Sequence, residues 1–297
     1  MTQENSHSTH NDKLPMTSYD QLIDVADLKG FIGSTDCRVI DCRFDLMQPK
    51  KGRTEYLAGH IPGALYADLD HDLAGPVTED SGRHPLPDVA DFKATLERWG
   101  IGNETQVVVY DYASGGLAAR LWWMLRWLGH TKIAVLNGGL KAWRADDGEL
   151  ETEVAHFPES GFTALPDDGR VITTEEISSA IAGAGDLHLV DARDRPRFDG
   201  QTEPIDTVAG HVPGAVNFPF SEAVNADGTW KSVEELRGMW IEALGGETPP
   251  PFSVMCGSGV TACHLVLAAR LAGLDEPRVY VGSWSEWIRD GSRPIAP

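Results

Sequence analysis

Cysteine is scarce in this chain: four residues in 297, Cys37, Cys42, Cys256 and Cys263. No two are spaced as C-x-x-C, which removes the usual zinc and dithiol patterns, and four thiols are too few for a disulfide scaffold. Positive charge is also in short supply, with 25 Lys and Arg against 45 Asp and Glu and a net charge of −20. So acidic a chain repels phosphate backbones, so nucleic acid is not an expected partner, and the charge reads first as a solubility device. No apolar run approaches the ~20 residues that cross a bilayer, and the polar opening MTQENSHSTHNDKLP lacks a signal-peptide core. Neither a G-x-G-x-x-G between strand and helix nor a Walker sequence is present, so no nucleotide cofactor is expected, and no metal. These absences together describe a reduced, cytoplasmic protein away from membranes, its residues 1–16 a flexible N-terminus.

What the chain does contain is an internal repeat. RVIDCR at 38–43 is echoed by LVDAR at 189–193, and GHIPGA at 59–64 by GHVPGA at 210–215. VVVYD at 107–111 answers FSVMC at 252–256, and Trp143 answers Trp287. Four landmarks in one order at nearly constant offset mark a tandem duplication, with domains at 17–145 and 171–297. The stretch 146–170 between them has no periodicity and is rich in Gly, Pro and acids, as a linker is.

Within each copy, short apolar runs alternate with helical patterns. Thr173 and Glu176 form a capping-box pair opening a helix to about Ile181, and Ser232 and Glu235 open another that Gly245 is placed to stop. An apolar helix is expected from about Gly259 to Leu271, matched by LAARLWWMLRWLG in the first copy, where Trp122, Trp123 and Trp127 fall at core spacing. Continuously apolar strands separated by helices predict an α/β fold, each copy a parallel sheet covered by helices on both faces.

In open sheets of this kind, ligands bind beyond the carboxyl ends of the strands. There the second copy reads VMCGSGVTACHLVLAARLAG. Cys256 follows a strand at once, and Gly257-Ser258-Gly259-Val260-Thr261 curls into a helix N-terminus. Such a loop turns successive amides inward on the positive end of a helix, which stabilises an anion and favours a thiolate. An ordinary strand-to-helix turn with an incidental cysteine has the same appearance. The first copy tips the balance, since Asp111 stands at the matching position. One copy alone keeps a nucleophile, as in a duplicated enzyme with one working site.

The tandem repeat, the two GH-x-PGA turns and CGSGVT resemble the two-domain rhodanese family, the thiosulfate and 3-mercaptopyruvate sulfurtransferases, over residues 17–297. The resemblance implies that Cys256 takes up a sulfane sulfur as a persulfide and passes it to a thiophilic acceptor. Cyanide, a thiol or a thioredoxin-like protein would serve. It also implies a non-catalytic first domain that helps to form the site. Thiosulfate-preferring members carry basic side chains beside the cysteine, where this chain has Gly257 and Ser258, so 3-mercaptopyruvate is the expected donor. The segments RFDLMQPKKGRTEYLAGHIPGALYADLD and SGRHPLPD resemble thiosulfate enzymes instead, and a thiosulfate-preferring rhodanese is the alternative.

The remaining site expectations follow from that likeness. Ser258 would polarise or protonate the departing enolate, or serve only as a turn hydroxyl. Arg197 would grip the donor carboxylate at two points, or form a surface ion pair. Where the family carries a second arginine, this chain reads Pro204-Ile205-Asp206-Thr207. Arg193 has a counterpart in Arg43 and so reads as structural. His60 is a candidate proton relay for Ser258, although His211 occupies the same turn in the other copy. No acidic third member is identifiable. A cysteine phosphatase would need an arginine six residues after Cys256, where Ala262 stands. A non-catalytic persulfide carrier for a protein partner is the remaining alternative of another class.

Overall fold

The computed structural model describes residues 18–297, so the expected N-terminal leader lies outside the described residues. Two wholly parallel sheets account for the strands. The first contains β1 (Leu22–Ile23), β2 (Cys37–Asp41), β3 (Leu65–Tyr66), β4 (Gln106–Tyr110) and β5 (Ile133–Leu136), in the order β1-β5-β4-β2-β3. The second contains β6 (Leu189–Asp191), β7 (Val216–Asn217), β8 (Ser253–Met255) and β9 (Arg278–Val279), in the order β7-β6-β8-β9. The central strands β2 and β4 are buried along their whole length, as strands covered on both faces must be.

Both capping boxes form. Thr173 and Ser232 accept the amides of Glu176 and Glu235, whose carboxylates reach back to the cap amides. Gly245 closes the Val233–Leu244 helix with φ 76°, a left-handed conformation that suits glycine. The expected apolar helix begins later than its pattern indicates, at Ala262 rather than Gly259. Gly259 has φ 76°, and a Cβ there would lie 2.2 Å from the Val281 carbonyl oxygen. The chain therefore turns before it winds.

The equivalent helices Ala118–Trp127 and Ala262–Leu271 pack against each other, so one apolar core runs through both copies. Trp122, Trp123, Leu265 and Val266 are all fully buried in it. A buried Trp removes ~150–250 Å² from water, a gross contribution of roughly 4–6 kcal/mol each before entropy is counted. The 146–170 stretch is laid along the first copy: Glu151 bridges to His60, Phe157 stacks on Arg38, and Thr163 pairs with Asn103. Across the copies, Arg120 donates to the Gly259 carbonyl and His264 Nε2 lies 3.0 Å from the Ser114 carbonyl, which ties the two strand-end loops together. No helix among the described residues is long and apolar enough to cross a membrane.

Candidate active site

At the end of β2 and β6 the two copies build the same support. Asp41 takes a bidentate bond from Arg43, which also donates to the Gly59 carbonyl at 2.9 Å. Asp191 does the same with Arg193, which reaches the Gly210 carbonyl at 2.8 Å. Each carbonyl belongs to the glycine of a GH-x-PGA turn. The histidines that follow are structural in both copies. His60 is wholly buried, stacks on Tyr56 at 3.9 Å and bonds the Tyr56 and Glu153 carbonyls. His211 stacks on Phe198 at 3.8 Å and bonds its carbonyl. His60 therefore does not reach Ser258, and the relay expected of it is not formed.

Cys256 leaves β8 directly and is 2 % exposed. Its amide donates to Ser283 Oγ at 3.0 Å, and its carbonyl accepts from Trp284. The Gly257 carbonyl accepts from Ser285, and the Gly259 carbonyl from Arg120 at 3.1 Å. Each carbonyl named here is held by a donor. The amides of Gly257 to Thr261 donate to no acceptor among the described residues. They form a nest above the N-terminus of the Ala262–Leu271 helix, suited to a developing anion. The other thiols are unsuited to nucleophilic work. Burial pushes Cys37 and Cys263 up to about 12 and Cys42 well above the ordinary range.

The imidazole at Ser258 belongs to His84, from the first copy. His84 Nδ1 lies 2.8 Å from Ser258 Oγ, and Nε2 lies 3.2 Å from Asp70 Oδ1. Burial, then the nearby Arg120 and Arg83, push His84 down to about 3, so the ring is neutral near pH 7. The tautomer that satisfies both contacts carries its proton on Nε2, toward Asp70, and accepts the Ser258 hydroxyl at Nδ1. Arg120, fully buried on the Ala118–Trp127 helix, donates to the His84 carbonyl at 3.0 Å as well as to Gly259. One guanidinium thus ties the histidine segment to the cysteine loop.

Arg197 lies beside the loop, but its grip is already engaged. Its Nε and Nη2 are bonded by the Glu203 carboxylate at 2.8–3.1 Å. Against the cost of burial, the Asp206 amide, Arg197 and the Ile205 amide hold Glu203 below the ordinary glutamate range. The Nε–Nη2 edge of Arg197 is therefore taken, while its Nη1 donates to nothing among the described residues and lies 3.7 Å from the Gly257 Cβ position. A second arginine, Arg83, also reaches the loop, and a Cβ on Gly257 would lie 3.0 Å from its Nη2 and 3.5 Å from Arg197 Nη2. The cleft that results measures about 170 Å³. Phe44, Leu46, Leu69, Leu117 and Phe220 line its apolar side, and His84, Arg83 and Arg197 its polar side.

His84, Asp70, Arg83 and Arg120 are not among the residues that the sequence singles out. Three of them lie in the 67–88 segment, whose SGRHPLPD has no echo in the second copy; that asymmetry was the available signal. No group of three or more metal-ligating side chains occurs among the described residues.

The Rhodanese-like domain family matches residues 24–146 and again 173–290. The chain belongs to that family, in two tandem copies. A Pseudomonas aeruginosa protein named "Probable 3-mercaptopyruvate sulfurtransferase" is 42 % identical over 278 residues, covering 93 % of this chain and 98 % of its own length. The thiosulfate sulfurtransferase of Gallus gallus is 37 % identical, covering 84 % and 86 %. Among solved structures, SseA of Escherichia coli, described as a 3-mercaptopyruvate sulfotransferase, superposes with a TM-score of 0.78 at 31 % identity, covering 89 % of this chain and 98 % of its own. With such relatives over nearly its whole length, this chain is an enzyme of the sulfurtransferase class.

Proposed function

We propose that the enzyme moves a sulfane sulfur from 3-mercaptopyruvate to a thiophilic acceptor through a persulfide on Cys256. The observation that carries this reading is the Cys256 loop joined to the Ser258–His84–Asp70 chain. The Cys256 thiolate attacks the donor sulfur, the C–S bond breaks, and its electron pair leaves with pyruvate as the enolate. The donor's thiol proton passes through Ser258 to neutral His84 Nδ1, and Asp70 steadies the imidazolium. The same proton then returns through Ser258 to the enolate carbon. Cys–S⁻ and HS–CH₂–CO–COO⁻ thus become Cys–S–S⁻ and pyruvate, with atoms and charge conserved. An acceptor thiol next takes the outer sulfur and leaves Cys–S⁻, while cyanide gives thiocyanate.

Thiosulfate can load the same cysteine, since sulfite departs as a stable anion and needs no proton. A three-member proton chain is superfluous for that donor, which supports mercaptopyruvate as the preferred one. Parallel turnover with the two donors tests the ordering. A higher kcat/KM for 3-mercaptopyruvate is expected, and a higher value for thiosulfate overturns it in favour of a thiosulfate-preferring rhodanese.

A further inference from the structure

Arg38 is a buried cation that sulfur transfer does not use. It is the second residue of β2, is 7 % exposed and forms no ion pair among the described residues. Asp36, the nearest acid in the sequence, is exposed and does not pair with it. Arg38 Nε donates to the Trp99 carbonyl at 3.2 Å, and Nη1 to the Thr35 and Cys37 carbonyls, each at 2.8 Å. The guanidinium lies 3.9 Å from the centroid of the Phe157 ring, which the 146–170 stretch brings over it. Its Nη2 donates to nothing among the described residues. Nor is Nη2 sealed from open space, as the partnerless Nε atoms of Arg83 and Arg120 are. Three carbonyls and an aromatic face supply dipoles but no net charge, so the cation is buried without a counter-anion. Burial accordingly pulls its pKa below the ordinary arginine value. The repeat does not require it, since the matching residue of the second copy is His188, which is exposed.

Arg38 lines a pocket of about 400 Å³, within the usual size range of a small-molecule site. Phe31, Ile32, Val39, Pro62, Phe157 and Pro158 make its wall mainly apolar, and Arg38 is the one charged residue among the described residues that line it. The pocket shares no residue with the Cys256 cleft. We infer that it binds a small amphiphilic carboxylate, with the apolar body against Phe31 and Ile32 and the carboxylate on Arg38 Nη2. A monoanion supplies the missing counter-charge through a charge-assisted hydrogen bond. A polyanion would meet the repulsion of a chain of net charge −20 with a single cation to offset it. A neutral molecule would cover the apolar wall and leave the guanidinium uncompensated.

The probe is 2-naphthoate, an apolar bicycle with one carboxylate, and 2-naphthalenemethanol is its neutral counterpart. Each is titrated calorimetrically into the full chain as wild type, Arg38→Met and Ser34→Trp, with folding read by circular dichroism. Naphthoate is expected to bind wild type at one site with a dissociation constant below about 1 mM, and roughly tenfold or more tightly than the alcohol. Arg38→Met should weaken naphthoate by roughly tenfold to a hundredfold and leave the alcohol within about threefold. Ser34 lines the pocket, so the indole of Ser34→Trp should occupy it and weaken both probes. No naphthoate binding to wild type at about 1 mM overturns the assignment, as does an affinity in Arg38→Met within about twofold of wild type. Displacement of naphthoate by pyruvate also overturns it, since that places the probe in the Cys256 cleft. If Arg38→Met does not fold, Ser34→Trp decides: naphthoate affinity unchanged in that variant overturns the assignment, and its loss supports it.

Discussion

The first and second copies end their third-from-edge strands in loops of the same shape, and one residue separates their chemistry. In the first, Asp111 turns its own carboxylate into the ring of amides: Oδ1 accepts from Ala113 and Gly115, each at 3.0 Å, and Oδ2 from Leu117 at 2.8 Å and Ala118 at 3.3 Å. In the second, Cys256 stands at that place and the amides of Gly257 to Thr261 are left unpaired among the described residues. The first loop contains its anion as part of the chain; the second is built to receive one. A nest of amides is therefore not by itself a catalytic feature in this fold. The second loop differs in its root residue and in the His84 and Asp70 side chains that the opposing copy places against Ser258.

Making the second loop resemble the first gives the largest effect. Cys256→Asp should abolish transfer with either donor and yet melt at a higher temperature than Cys256→Ser at pH 7, since a carboxylate at 256 would take up the free amides. Charge-assisted bonds of this kind are worth ~1.5–3 kcal/mol. An Asp variant no more stable than the Ser variant would show that the two loops are not equivalent anion sites.

Severing the contribution of the opposing copy comes next. Ser258→Ala and His84→Gln should lower kcat for 3-mercaptopyruvate by roughly 10²–10⁴, the usual scale of general acid–base assistance, while thiosulfate loading falls far less. Equal losses with both donors would mean that the chain Ser258–His84–Asp70 supports the loop and moves no proton.

Smaller again is the effect of emptying the first loop. Asp111→Ala leaves several amides without their acceptor and should cost about 1.5–3 kcal/mol of stability, seen as a lowered Tm. Sulfur transfer measured well below that Tm should persist. Its loss would make the first loop a participant.

A signature in stability alone is acid sensitivity. Burial, with Arg120 and Arg83 behind it, holds His84 near 3, and burial holds His264 near 4, against an ordinary value of 6.5. An unfolded chain binds protons at both as pH falls below 6.5, and the folded chain does not until near 4 and 3. Stability should therefore drop as pH falls through that window, by up to about 1.4 kcal/mol per pH unit for each group. Denaturation midpoints of wild type and His84→Gln across pH 7 to 4 should converge toward the acid end. Parallel curves would remove His84 as a buried neutral ring.

What was legible in the sequence follows the range over which the physics acts. The capping boxes at Thr173 and Ser232 need only residues three apart, and both form as expected. The repeat exposed the two sheets and singled out Cys256, because Asp111 and Cys256 could be compared directly. The shared turn also misdirected: His60 drew attention by its motif, whereas that motif serves the Asp41–Arg43 and Asp191–Arg193 supports in both copies. His84 and Ser258 are 174 residues apart, and only the packing of one copy on the other brings them together. Arg197 was legible as a cation but not as one already held by Glu203, since an acidic chain offers many partners within reach.

The central claim is that the second loop alone carries sulfur, on Cys256, by grace of its free amides. Peptide mass analysis after brief exposure to 3-mercaptopyruvate without acceptor tests it most directly. One added sulfur atom should appear on the peptide containing Cys256 and disappear when cyanide is supplied, with Cys37, Cys42 and Cys263 unchanged. Added sulfur on any of those three, or none on Cys256 during active turnover, would contradict the account.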